Sequence, residues 1–242
     1  MRAAIVTGVS RGLGEALASV LLRRGFAVLG VGRAESARLG GRLYQHASCD
    51  LAHAALIAAA VTPALRQLQQ RKPTSVTLVN NAAVPGPTGL VGRLDAAELA
   101  TAIAVNVAAP MVMADLFLRS FADDALERRI INVSSGAAQT ALPGSAPYST
   151  SKAALEMLTR SIAAEGTSPR FQCISVRPGI FDTAMQAYMR NRDPAEFPSA
   201  ALFRGFKENG LLKDPAEVAA KIVDKLVLGP VENGRTYVHT EL

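Results

Sequence analysis

Short, β-branched apolar runs recur along the chain: AAIVT (3–7), AVLGV (27–31), VTLVN (76–80), RIINVS (129–134) and QCISV (172–176). A weaker run, RLYQH, lies at 42–46, and a last one, TYV, at 236–238. Runs that are apolar at consecutive positions, not alternate ones, predict strands covered on both faces. Segments of helical length separate them. GEALASVLLRRG (14–25) sets Leu17, Leu21 and Leu22 on one side and stops at Gly25, a residue suited to a helix C-terminus. LAHAALIAAAVTPALRQLQQ (51–70) and AAELATAIAVNVAAPMVMADLFLRSF (96–121) are long and alanine-rich, and AALEMLTRSIAAEG (153–166) is amphipathic and again ends at glycine. Strand–helix alternation from end to end predicts right-handed βαβ units. The fold class is therefore α/β, a doubly wound parallel sheet of about seven strands with helices on both faces. No linker, repeat or low-complexity tract divides it, so residues 1–242 read as one domain.

Composition narrows this picture. With 242 residues, 49% of them hydrophobic, the chain can bury one large core. It contains no run of 18 apolar residues, so no membrane span is expected. MRAAIVTG is too short for a signal peptide, and a cytoplasmic location is expected. Cys49 and Cys173, far apart and each near the end of an apolar run, read as buried free thiols in a reducing compartment. His46, His53 and His239 show no metal-ligand spacing, so no metal is expected. A formal charge of +6 raises the question of nucleic acid. The basic residues are scattered, however, and only 5% of the chain is aromatic, which supplies no stacking platform. A diffuse positive surface fits an anionic small molecule better.

The first candidate chemistry lies in VTGVSRGLGEAL (6–17), between the first strand and the first helix. Gly8, Gly12 and Gly14 are spaced G-x-x-x-G-x-G. Glycines there permit a tight turn and a close backbone approach to a pyrophosphate, at which the helix N-terminus aims its N–H groups. A P-loop would need Gly-Lys-Ser/Thr, which is absent. Gly8 to Gly12 also matches the G-x-S-x-G elbow of a serine esterase, with Ser10 as nucleophile and His239 downstream. Only seven residues precede that elbow, leaving no chain for the usual oxyanion loop. The second strand runs into Gly32-Arg33, where a dinucleotide site for NAD would place an acid. A guanidinium there, with Arg11 as a second cation, favours the 2′-phosphate of NADP(H). Glu35 is the counter-signal, should the strand run two residues longer. Farther along, PYSTSK (147–152) puts Tyr148 and Lys152 one helical turn apart.

Taken together, these motifs resemble the short-chain dehydrogenase/reductase family, from Thr7 to Tyr237. The family's T-G-x-x-x-G-x-G matches Thr7 to Gly14, so the resemblance implies cofactor contacts from Gly8, Ser10, Arg11, Gly12, Leu13 and Gly14. Its adenine-binding Asp matches Asp50, beside Leu51. Its N-N-A-G appears as Asn80-Asn81-Ala82-Ala83, with Ala83 in place of the last glycine; Asn81 and Ala82 would face the cofactor. P-G-x-x-x-T spans Pro178 to Thr183 and implies contacts from Pro178, Gly179, Ile180 and Thr183. The implied catalytic set is Asn106, Ser135, Tyr148 and Lys152, with Tyr148 and Lys152 also touching the cofactor. In that scheme Tyr148 protonates a carbonyl oxygen, Ser135 hydrogen-bonds it, Lys152 holds ribose hydroxyls and Asn106 positions a water. A nearby ammonium and an oxidised nicotinamide ring should lower the phenol pKa.

INVSSGAAQTALPGSAPYSTSKAALEML, RPGIFDTAMQ and ENGRTYV look like the sepiapterin-reductase-like branch, which includes bacterial benzil reductases. That resemblance implies NADPH-dependent reduction of a small-molecule ketone such as a 1,2-diketone. The segment at about 183–211 follows the sixth strand and has the position of a substrate lid. Phe181, Met185, Tyr188 and Met189, with Phe197 and Phe203, would suit a bulky aromatic carbonyl compound; they would equally suit two short helices packing on their own sheet. Apolar helix faces at 96–121 and 149–165, which family members pair between subunits, imply a homodimer or homotetramer. An NADP-binding sensor or scaffold with little catalysis is the alternative, against which the four intact catalytic positions argue.

Overall fold

A computed structural model describes residues 1–166 and 168–242. The seven runs form one parallel sheet: β1 Arg2–Thr7, β2 Ala27–Gly32, β3 Tyr44–Ser48, β4 Ser75–Asn80, β5 Glu127–Val133, β6 Phe171–Arg177 and β7 Thr236–Val238. Their order is β3-β2-β1-β4-β5-β6-β7, all neighbours parallel. The chain therefore winds outward in one direction from β1 and in the other from β4. Between those two strands the connections diverge, and the crevice that opens at the carboxyl ends is where such sheets bind ligands. β2 is buried along its whole length, as its unbroken AVLGVG run requires.

Helices cover both faces. α2 (Ala54–Gln70), α4 (Ala109–Ser120) and α5 (Ala146–Ala164) bury Leu65, Phe117 and Ile162 against one side. On the other, α1 (Gly12–Arg23) and α8 (Pro215–Ile222) bury Leu17, Leu21 and Ile222. Leu22 is half-buried at the edge of that face, and Gly25 adopts φ +77 just past the end of α1. Cys49 and Cys173 are free and buried.

The stretch read as one helix over 96–121 is interrupted. α3 (Ala96–Ile103) passes through a π turn, Ala104–Ala108, into α4. These 25 residues are long and apolar enough to cross a bilayer by length and composition, although no 18-residue run is wholly apolar; half of the most apolar window is buried within the fold. The π turn holds Asn106, and Pro110, lacking an N–H, stands where the Asn106 carbonyl would find its α-helical donor. The polar core also ties elements together: Asn80 Nδ2 donates to Asn132 Oδ1 at 2.9 Å, and Asn132 Nδ2 to Thr159 Oγ1 at 2.9 Å, linking β4, β5 and α5.

Candidate active site

The glycine turn is fixed by its neighbours. Gly12 has φ +64, a region that side chains disfavour. A Cβ on Gly14 would lie 2.2 Å from the Gly8 carbonyl oxygen, so only glycine lets the turn fold back on itself. Thr7 Oγ1 accepts from the Asn81 and Ala82 amides, each at 3.0 Å, and Asn81 Nδ2 donates to the Thr7 carbonyl at 2.9 Å. These bonds fasten the end of β4 to the turn after β1. α1 then begins without a side-chain cap, whereas Asp95, Thr183 and Asp214 cap α3, α6 (Ala184–Arg190) and α8. No side-chain acceptor is spent on the α1 N-terminus, as is also true of α2 and α5.

The turn floors a cleft of about 2130 Å³. Pockets for one drug-sized molecule hold roughly 300–1,000 Å³, so this one has room for a dinucleotide and a second molecule. All the cofactor positions expected from the sequence line it: the turn from Gly8 to Gly14, Arg33, Asp50, Leu51, Asn81, Ala82, and Pro178 to Thr183. Asp50 Oδ1 accepts from the Ala52 amide at 3.0 Å, shaping the loop after β3. β2 ends at Gly32, so Glu35 falls in the next loop, beside Tyr44 and outside the cleft lining. The extension that would have made it a ribose-binding acid does not occur. Two residues that the sequence reading passed over join Arg11 and Arg33 here. Arg38 lies 3.6 Å from Glu15, which also accepts a hydrogen bond from the buried Ser36 hydroxyl. Both Arg38 and Glu15 line the cleft. The recurrence of arginine five residues after Arg33 was the available signal.

Ser135, Tyr148 and Lys152 line the same cleft. Ser135 follows β5 and its Oγ accepts from the Ala137 amide at 3.2 Å, while Tyr148 and Lys152 share a face of α5. Lys152 is 2% exposed; its Nζ donates to the Val133 carbonyl at 2.7 Å and lies 5.7 Å from the Tyr148 ring centroid. Burial lowers its pKa to about 8. Burial also raises the Tyr148 phenol, and a hydrogen bond with the Ser135 hydroxyl opposes that only in part. The expected lowering is thus not met in the protein alone: the ammonium is held toward Val133 and is itself disfavoured by burial, so desolvation dominates. Asn106, 1% exposed, spends its side chain on the fold. Its Oδ1 accepts from the Val84 amide and its Nδ2 donates to the Val84 carbonyl, both at 2.9 Å, and to Ser151 Oγ at 3.2 Å. These bonds tie the side-chain amide to the Val84 backbone and to Ser151, while Oδ1 keeps one further acceptor position.

The segment after β6 folds as α6 and α7 (Ala200–Glu208). The two expectations for its side chains divide between them. Met189 and Phe197, 2% and 0% exposed, pack with Ala200 and Phe203 into a small core of their own. Met185 lines the cleft, as does Tyr188, whose Oη lies 3.4 Å from Thr88 Oγ1 across the mouth. Phe181 also lines it while packing on the main core. Met189 borders the cleft too but is turned into the small core, where amphipathic helix packing claims it. Ser10 is exposed in the turn, and His239 instead packs over Gly179, so the two do not form a nucleophile–base pair among the described contacts.

Residues 2–194 match the family model of short chain dehydrogenases. The chain belongs to that family and is an oxidoreductase of the short-chain dehydrogenase/reductase type, a class that uses nicotinamide cofactors. Its relatives include a benzil reductase, (S)-benzoin forming, of Bacillus subtilis (strain 168), 32% identical over 235 residues and covering 96% of both chains. A sepiapterin reductase of Meriones unguiculatus is 31% identical, covering 95% of this chain and 93% of its own. Among solved structures, a short chain dehydrogenase/reductase from Saccharomyces cerevisiae superposes with TM-score 0.83 at 27% identity, covering 99% of this chain and 96% of its own.

Proposed function

We propose that this protein is an NADPH-dependent reductase of a bulky ketone, a 1,2-diketone or similar aromatic carbonyl compound, with Tyr148 as proton donor. The observation that carries the reading is that one cleft is lined both by Ser135, Tyr148 and Lys152 and by Arg11, Arg33 and Arg38. The uncapped α1 terminus and its glycines suit the pyrophosphate, and the guanidinium groups suit a 2′-phosphate, with the nearby Glu15 carboxylate engaged by Arg38 and Ser36. When bound, NADPH would supply the hydride for reduction of a carbonyl carbon. Tyr148, kept protonated by burial, is poised to give its proton to the carbonyl oxygen, leaving an alcohol. Ser135 donates to the same oxygen as its charge develops. Lys152, fixed by Val133, would hold the cofactor's ribose hydroxyls with its remaining N–H groups, its charge 5.7 Å from the Tyr148 ring centroid. α6 and α7 act as the lid. The names of the benzil and sepiapterin reductase relatives support the substrate class. Ile103, Met111 and Met157, exposed on α3, α4 and α5, support pairing of these helices in a homodimer or homotetramer.

The test is NADPH oxidation followed by absorbance with benzil, an alkyl–aryl diketone, sepiapterin and a simple aldehyde, each repeated with NADH. Diketone turnover with NADPH and little with NADH is the expected result. Binding of neither cofactor would sink the reading at its first step.

A further inference from the structure

Ser145 stands at the N-cap of α5, three residues before Tyr148, yet its side chain caps nothing. Two features explain that. Its ψ of 16° departs from the extended backbone that aims a cap, and the second helical residue, Pro147, has no N–H to receive. The residue is 0% exposed and its Oγ has no hydrogen-bond partner. A buried hydroxyl left in that state costs free energy and calls for an explanation. Ser149 Oγ is also buried and unpartnered, but only Ser145 of the two lines the cleft.

The backbone around Ser145 is held from several directions. Its amide donates to the Leu142 carbonyl at 2.9 Å, Gly89 N donates to the Gly144 carbonyl at 2.9 Å, and Ser199 Oγ donates to the Pro143 carbonyl at 2.8 Å. Gly144 is pressed so closely by Phe197 of the lid that a Cβ there would meet its ring at 2.7 Å. The hydroxyl thus sits on a preset segment one turn before the proton donor, at the lining of the cleft. A helix N-terminus adds a partial positive charge there, which favours an electron-rich oxygen.

We propose that Ser145 is a specificity-determining residue whose hydroxyl, turning about its Cα–Cβ bond, donates to an oxygen on the carbon next to the reacting carbonyl. This rests on the ketone-reductase reading and deepens it. Tyr148 and Ser135 serve the oxygen being reduced, and Ser145 recognises its vicinal neighbour, which a monoketone lacks. A site built to bond an oxygen discriminates against analogues without it.

The experiment compares benzil with deoxybenzoin, the same skeleton with one carbonyl reduced to methylene, in wild-type protein and S145A. The expected result is a fall of about tenfold in the benzil-to-deoxybenzoin ratio of kcat/KM. The variant should also melt no lower than wild type, and about 2 °C higher, because an unpartnered buried hydroxyl has been removed. A purely structural serine would predict the reverse, a lower melting temperature and equal slowing of both ketones, and that outcome overturns the proposal. So does an unchanged ratio. If wild-type protein binds NADPH but reduces neither ketone, the functional reading fails first and the subsite falls with it. If wild-type protein reduces both ketones and S145A leaves the preference unaltered, the subsite alone is overturned.

Discussion

The two ends of the cleft are built differently. The cofactor end consists of strand termini and turns bonded directly into the sheet: Thr7 to Asn81 and Ala82, and Asn81 to Thr7. It inherits the rigidity of the central strands, whose side chains are almost wholly buried. The other end is bounded by α6 and α7, the proposed lid, which carry a separate small core around Phe197 and Met189. Its links to the body include the Ser199–Pro143 bond and the Tyr188–Thr88 contact. Asp182, at the lid's base, is paired with Lys207 at 2.5 Å, and those side chains are about half exposed. Exposed pairs of this kind contribute little. Construction of this sort lets the chemistry and cofactor stay fixed while the substrate wall moves or changes.

The largest expected effect falls where the two ends meet. Tyr148→Phe removes the proton donor and should lower kcat by about 10²–10⁴ while NADPH affinity, read by fluorescence titration, stays near wild type. Retained turnover would show that Tyr148 is not the proton donor. Next comes the lid. Phe197→Ala empties a fully buried site, a change that costs about 3–5 kcal/mol in a well-packed core. Because that core is separate, the loss should appear as a raised KM for the ketone and faster proteolysis within 190–210, with cofactor binding preserved. Equal weakening of NADPH binding would show that the two ends are one cooperative unit. Smaller still is the charge at the cofactor end. Arg33→Ala combined with Arg38→Ala should weaken NADPH binding by about 10–100-fold and leave NADH nearly untouched. The difference should shrink as salt rises, since both arginines are exposed.

The same contrast explains what could be read from the chain. Buried parallel strands demand consecutive apolar residues, so the sheet and its order of elements were legible, as was the uncapped glycine turn. The placing of Tyr148 and Lys152, the proposed catalytic pair, one turn apart was legible for a similar reason: one helix carries both. Partners set by tertiary packing were not. Nothing local announces that Asn106 is tied to Val84 and Ser151, or that a π turn, not a straight helix, bears it. The lid's aromatics were ambiguous because amphipathic short helices and a substrate wall ask for the same residues; only the fold assigns Phe197 inward and Met185 to the cleft. Arg38 escaped notice because its relevance depends on where the loop after β2 turns.

The smallest expected effect concerns Lys152 and runs opposite to its effect on activity. Its pKa falls from the ordinary lysine value to about 8 through burial, so the folded protein holds that proton less tightly than the unfolded chain does. Below about pH 8 both states carry the proton and the full cost of burying the charge is present. Between about pH 8 and the ordinary value near 10.4, the unfolded chain binds more protons, and stability rises with pH as the cost is relieved. Lys152→Met removes the charge but keeps much of the volume, forfeiting one bond to the Val133 carbonyl. Buried charges replaced by apolar groups of similar size often gain stability. The variant should therefore be almost inactive yet more stable at neutral pH by about 1 kcal/mol, a rise of roughly 2–4 °C in Tm for a chain this long. That advantage should narrow as the melting series is carried toward pH 10. A variant less stable than wild type at every pH would mean that the Val133 bond outweighs desolvation, and that the lysine anchors the cofactor end as part of the fold instead of being held there at the fold's expense.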